Sequence, residues 1–158
     1  TITAGDFSID AENGSPSFTG VRQCEFEETF EIEACLSDES KNCEAGVSIY
    51  MDFAHHYDVF IAERDGKLSA VCRVKIGPAC EVKKSVEILS RSIRIKIVSS
   101  AYGYDFYANE TFLAHADSRY LSSEVACGFT GVFWGLFCQK SDSTKVAKGK
   151  FTNLKIVH

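Results

Sequence analysis

A chain of 158 residues, 45% apolar and 25% charged, has the length and composition of one globular domain around a single core. Its net charge of −5 argues against nucleic acid or an anionic membrane as the main partner, and no apolar run approaches the roughly 18 residues of a membrane span. The opening Thr1-Ile2-Thr3-Ala4-Gly5-Asp6 has neither a basic segment nor a long apolar region, so no signal peptide is expected. A cytoplasmic home follows as the expectation, and the missing initiator Met points to a trimmed or excised piece.

In chain order, the stretch from Ala11 to Ser17, with Asn13-Gly14 and Pro16, reads as a loop. From Cys24 to Ala34 the even positions (Cys24, Phe26, Glu28, Phe30, Ile32, Ala34) are mostly apolar. The odd ones carry Glu25, Glu27, Glu31 and Glu33. Side chains alternate across a strand, so this predicts one long strand with a dry face and a wet one. Val47, Ile49 and Met51 continue the pattern, as do Tyr57, Val59 and Ile61. Asp65-Gly66 predicts a hairpin turn, followed by Leu68, Ala70, Cys72, Val74 and Ile76 on one face. Gly77-Pro78 breaks the chain between strands, since Pro cannot sit in a central ladder.

Ile93, Ile95 and Ile97 alternate with Arg94 and Lys96, and Tyr102, Tyr104 and Phe106 follow. Near the end, Gly128-Phe129-Thr130-Gly131 predicts a turn with a phenylalanine at its tip. It opens onto the apolar run Val132 to Phe137, a strand buried on both faces. Phe151, Leu154 and Ile156 close the chain. Strands separated by turns, without a helical period, predict a single all-β domain over residues 1–158, a two-sheet antiparallel sandwich.

The seven cysteines are odd in number, form no Cys-x-x-Cys and match no zinc spacing. Reduced, buried thiols are expected, with Cys24 and Cys72 on the dry phase of their strands. His55 and His56 are adjacent and so point to opposite strand faces, unsuited to sharing a metal. No cofactor is required. A structural calcium on Asp6, Asp10 and Glu12 would suit oxygen ligands, but nothing in their spacing demands it.

Several segments, taken together, carry a family resemblance. Ser17-Phe18-Thr19-Gly20-Val21-Arg22-Gln23 resembles the Arg-Gln segment that opens the C-terminal domain of glycoside hydrolase family 43 enzymes. Glu44-Ala45-Gly46-Val47-Ser48-Ile49-Tyr50, with Asp52 and His55-His56-Tyr57, is similar to that domain's Glu-Ala-Gly-Leu strand and turn. Ile93 to Ile97, Tyr104-Asp105-Phe106-Tyr107, and Gly128 to Gly135 with Phe151 to Ile156 resemble its later motifs, in the same order along nearly the whole chain.

The resemblance implies a jelly-roll, concanavalin-A-like sandwich joined to a catalytic five-bladed β-propeller of the β-xylosidase or α-L-arabinofuranosidase type. That propeller is absent from these 158 residues. Inverting hydrolysis needs a general acid and base roughly 6.5–9.5 Å apart, and the family's pair sits on the propeller. No catalytic residue is therefore expected on this chain, which alone is not an enzyme. The implied partners are the propeller of the same polypeptide and short xylo- or arabino-oligosaccharides.

Phe129 is the ring implied to line the leaving-group (+1) sugar subsite, where it would stack on a sugar face and exclude water. The alternative is that it packs within its own turn. Arg22 and Gln23 are implied at the domain interface, where a guanidinium fork can clamp carboxylates or carbonyls; an exposed strand-end arginine is the alternative. A second reading of the chain is an autonomous carbohydrate-binding module, with Tyr50, Tyr104, Trp134 and, beside them, Tyr107 forming an aromatic sheet face for sugar. Aromatics at alternating strand positions can equally be core.

Overall fold

Alternation along each strand decides which side chains meet between the sheets. The computed structural model describes residues 1–127, 131–142 and 145–158. Two six-stranded antiparallel sheets stack face to face. The first runs β1 (Ile2–Thr3), β12 (Lys148–Val157), β3 (Thr29–Leu36), β8 (Ser92–Ser99), β9 (Gly103–Ala108), β10 (Thr111–Asp117). The second runs β2 (Phe18–Arg22), β11 (Phe133–Lys140), β4 (Cys43–Asp52), β5 (His55–Arg64), β6 (Lys67–Ile76), β7 (Ala79–Glu87). Among the described residues, helix is confined to a 3₁₀ turn at Ser118–Leu121 and a single α turn at Ser123–Ala126. No helix there is long and apolar enough to cross a membrane.

The expected dry faces make the core. Phe30, Ile32, Ala34, Ile93, Ile95, Ile97 and Phe106 of the first sheet meet Val47, Ile49, Tyr57, Val59 and Ile61 of the second. Trp134 stacks on Phe30 with ring centroids 5.1 Å apart. Asp65 and Gly66 take φ of +50° and +84°, the two-residue turn whose twist matches its flanking strands. A second such turn, Asn109-Glu110 at +47° and +65°, joins β9 to β10; it lacks the glycine that would have marked it.

Three expectations need correction. The strand predicted from Cys24 begins only at Thr29, and Cys24 and Phe26 are exposed. Glu28 turns its carboxylate inward and local side chains capture the backbone before it, so 24–28 is a loop (described below). Tyr102 lies in a turn held by Ser100 Oγ and is 83% exposed. Leu154 is turned outward by a bulge in β12, where Asn153 takes φ of +58°. All seven cysteines are free, but only Cys43, Cys72 and Cys138 are buried. Burial pushes those thiols up to about 11, 12 and 12 respectively.

The centre of the second sheet is covered on its outer face as well. Residues 4–17 cross that face between β1 and β2, and Ile9 inserts among Phe60, Ala62, Val71 and Phe137. Gly46 makes this fit: Phe60 and Phe137 flank it, and a Cβ there would lie 2.1 Å from the Val59 carbonyl oxygen. The Ile9 N–H donates to Gln139 Oε1 at 3.0 Å, and the Tyr50 hydroxyl donates to the Ile9 carbonyl at 3.4 Å.

Charges trapped beneath this strap are paired. Asp58, with no solvent exposure, accepts from Ser48 Oγ (2.7 Å) and Arg73 Nε (2.9 Å) and lies 2.9 Å from His56 Nδ1. Arg73 also donates to Glu44, which Gln139 and Arg64 hold from other sides. His56 Nε2 reaches Asp10 of the strap at 3.0 Å. Burial disfavours the imidazolium, but the charge of Asp58 and hydrogen bonds to Asp10 and Asp58 outweigh it, and the His56 pKa is pushed up to about 9.

Because this value exceeds the unfolded one near 6.5, the stabilisation is complete below about pH 6.5 and is lost as pH rises through about 9. Thermal unfolding between pH 6 and pH 10 should show a fall in Tm that His56→Gln removes. The substitution should itself cost about 3–5 kcal/mol at pH 6, because it strands the buried carboxylate. Ile9→Ala should cost about 2–5 kcal/mol in denaturant unfolding. It should also raise hydrogen exchange at residues 8–11 more than in the inter-sheet core.

Candidate functional site

One end of the sandwich lacks regular structure, and its loops are built on hydrogen bonds from a few side chains. Ser99, at the end of β8, accepts from the Glu28 N–H (3.0 Å) and donates to the Phe26 carbonyl (2.8 Å). Gln23 Nε2 donates to the Glu25 carbonyl at 2.9 Å, and Gln23 Oε1 accepts from the Tyr104 hydroxyl at 2.8 Å. The buried Glu28 carboxylate accepts from Trp134 Nε1 (2.6 Å) and the Glu25 N–H (3.1 Å), and His158 Nδ1 lies 3.1 Å away. These bonds hold residues 23–28 in a loop that leaves the Phe26 ring 73% exposed.

A groove of about 380 Å³ opens beside this loop. Gln23, Phe26 and Tyr104 line one part; Arg119, Ser122 and Val132 line another. A shallower hollow continues past Phe26 to Ala101 and His158. Val21 and Val125, both exposed, belong to the same end of the molecule. An apolar rim of this kind, interleaved with polar groups, is the usual composition of a contact surface.

Arg22 ends β2 at this rim. Its guanidinium lies over the Phe133 ring, 4.9 Å from the centroid, beside Gly131 at φ +73°. Gln23 is half-buried and points inward, tying two loops to Tyr104. Phe129 lies outside the described residues; Cys127, two residues before it, takes a left-handed conformation (φ +56°), and Val132, three after it, lines the groove.

Tyr50, Tyr104 and Trp134 do not form a shared platform. Trp134 pairs in register with Ile49, whose side chain faces the core, while Tyr50 is the next residue and faces the opposite side. Trp134 and Tyr104 are 2% and 4% exposed, edge-to-face between the sheets. Tyr50 is enclosed under the strap by Phe18 and His56. Burial pushes its hydroxyl up to about 12.

The acidic residues near the start also serve other partners. Asp10 faces His56 and Lys75, and Asp6 lies 3.9 Å from Lys140. Among the described residues no three His, Cys, Asp or Glu side chains converge as a metal site would need. His55 and His56 bond to different carboxylates, Asp52 and the Asp10–Asp58 pair.

Comparison with known proteins agrees with this architecture. The sequence profile of the β-xylosidase C-terminal concanavalin A-like domain matches residues 1–155. Non-reducing end α-L-arabinofuranosidase BoGH43B of Bacteroides ovatus is 32% identical over 133 residues, which are 79% of this chain and 25% of that protein. This chain therefore spans about a quarter of the length of the curated relative it matches. The solved structure of GH43B from the Bacteroides ovatus xyloglucan PUL superposes with a TM-score of 0.79 at 28% identity, over 94% of this chain and 31% of that one. A mutant of the GH43 protein BlXynB from Bacillus licheniformis gives 0.84 at 16% identity, over 98% and 32%, a likeness of fold. With the profile matched almost end to end and both sheets in place, the chain belongs to the β-xylosidase C-terminal concanavalin A-like domain family.

Proposed function

We propose that this chain serves as the accessory domain of a family 43 glycoside hydrolase, a β-xylosidase or α-L-arabinofuranosidase, and seats its irregular end on the catalytic propeller. The observation that carries this reading is the Phe26 ring, 73% exposed on a loop held by Gln23, Glu28 and Ser99, at the mouth of the groove. A large ring left in water with so much built to keep it there is best understood as an anchor for a neighbouring surface. Arg22 lies at the same rim, where its fork can meet carbonyls or a carboxylate of the partner.

In this reading Phe129 closes the far side of the leaving-group subsite. Ring stacking on a short xylo- or arabino-oligosaccharide would then position the scissile bond, while both carboxylates of an inverting reaction come from the propeller. The chain supplies packing and substrate positioning, not a bond-breaking group. A second reading, binding of sugar through Tyr50, Tyr104 and Trp134, loses support because no two of them share an open face.

Two measurements test the proposal on the polypeptide that joins this chain to its propeller. Phe129→Ala should lower kcat/KM for a disaccharide about 10-fold, a loss of about 1.4 kcal/mol of transition-state stabilisation. Unchanged kcat/KM would remove Phe129 from the subsite. Phe26→Glu should leave the unfolding of the isolated chain within about 0.5 kcal/mol, as exposed substitutions do. In the joined polypeptide it should separate the single unfolding transition into two; one unshifted transition would refute docking through this end.

A further inference from the structure

The outer face of the first sheet carries an arrangement that neither the core nor the sandwich tip uses. Tyr107 of β9 and Phe112 of β10 stand opposite each other in register, with ring centroids 5.4 Å apart at 67°. Lys96 of β8, the neighbour of Tyr107 on its other side, places Nζ 5.7 Å from the Tyr107 ring. In the adjacent row Asp105 and His115 form a half-exposed pair at 2.7 Å. Phe112 is 46% exposed, so that beyond its contact with Tyr107 the ring stands open to solvent.

A backbone irregularity puts Phe112 there. The register of β10 shifts between Phe112 and Ala114, so that Leu113 is the extra residue of a bulge and turns inward. Without it, Phe112 would share the inward phase of Ala114 and Ala116. Bulges re-aim side chains in this way, often beside binding sites. Lys84 of β7 fixes the spot by donating to the Phe112 carbonyl at 3.0 Å.

The charges around the rings cancel locally. Arg94 reaches Glu31 and Glu110, each at 3.4 Å, and His115 is paired with Asp105. A face without one dominant sign offers little to an anionic polymer, which is held by phosphate-like charge. An open ring flanked by a carboxylate, an imidazole, an ammonium and a phenol is suited to a neutral polyhydroxylated ligand. The ring meets the C–H face of a sugar and the polar groups meet its hydroxyls. Among the described residues the Tyr107 hydroxyl has no protein partner, leaving it free for this.

We propose that this face, centred on Phe112 and Tyr107, is a carbohydrate-binding surface for neutral pyranose chains of the xylo-oligosaccharide type. It lies along β9 from the tip: Tyr107 is four residues past Gly103, about 13 Å at the usual strand rise. It therefore stays open while the tip is docked, and it would hold the glycan near the enzyme without entering the catalytic pocket.

Titration of the 158-residue chain with xylohexaose in a calorimeter tests this. Saturable binding with a dissociation constant of about 0.1–1 mM is expected, a free energy of about −4 to −5.5 kcal/mol. Phe112→Ala and Tyr107→Ala should each weaken it at least 10-fold, and Phe26→Ala should leave it unchanged. As a reading that needs no variant, xylohexaose should slow hydrogen exchange in 105–115 and not in 22–28. No saturable heat up to 10 mM, equal binding by the Phe112 and Tyr107 variants, or protection confined to the tip would each overturn the proposal. So would sedimentation showing a dimer that Phe112→Ala dissolves, since the face would then belong to a second copy of the chain.

Discussion

The Asp58 carboxylate lies in the middle of a sheet that is covered on both sides, and the build of the second sheet follows from keeping it satisfied. An ionised carboxylate without water needs partners from every direction. Ser48, His56 and Arg73 supply them from three adjacent strands, and Arg73 in turn requires Glu44. The imidazolium so created is left with its second N–H, and the strap residue Asp10 meets it. One buried charge thus links the register of β4, β5 and β6 to the position of residues 4–17. Slipping any of these strands by one residue would turn the charges into the apolar inter-sheet core. The network gives specificity of register more directly than it gives net stability.

Much of this was legible before any coordinates. The Asp65-Gly66 turn makes residues equidistant from it face each other, so Asp58 falls opposite Arg73 and His56 opposite Lys75. Those oppositions follow from the turn alone. The dry phases of Phe30 to Ala34, Val47 to Met51, Tyr57 to Ile61 and Ile93 to Ile97 likewise appear as the core, because long alternation is hard to produce without a buried face. What failed was local competition with the strand. Glu28 stood in the dry phase as the one charged member, and in hindsight that charge marked where the strand stops. Ser99 gave no signal at all; its role comes from two backbone groups that only the folded chain brings to it. The sugar platform of Tyr50, Tyr104 and Trp134 failed for a related reason. A period of two assigns faces within one strand but does not say which face of a sheet another segment will cover.

That covering decides where contacts with other molecules can be made. Burial of both faces at the centre of the second sheet, by the first sheet on one side and by the strap on the other, removes the surface that a sandwich would otherwise present there. Two regions stand out: the tip, where the backbone is irregular, and the outer face of the first sheet, where it is regular. They suit different ligands. At the tip, loops set by Gln23, Glu28 and Ser99 present an isolated ring beside a concavity, a shape that complements a protein surface with its own protrusions. The outer sheet face is flatter and repeats every two residues along each strand, which fits an extended chain of similar units better than a single protruding knob.

The same division explains why the polar groups differ between the two places. Around Phe26 the hydrogen-bonding groups are mostly spent within the protein: Gln23 on Glu25 and Tyr104, Ser99 on Phe26 and Glu28, Glu28 on Trp134. What is left to a partner there is chiefly apolar area, with Arg22 and Arg119 at the margin, and burial of apolar area is the interaction that a neighbouring domain can supply continuously. Around Phe112 the polar groups are paired with one another at the surface or, like the Tyr107 hydroxyl, have no partner among the described residues. Exposed pairs of that kind are worth little to stability and so cost little to rearrange. A hydroxyl-rich ligand can exchange them one for one, whereas it could not open the tip network without unfolding the loops that network holds.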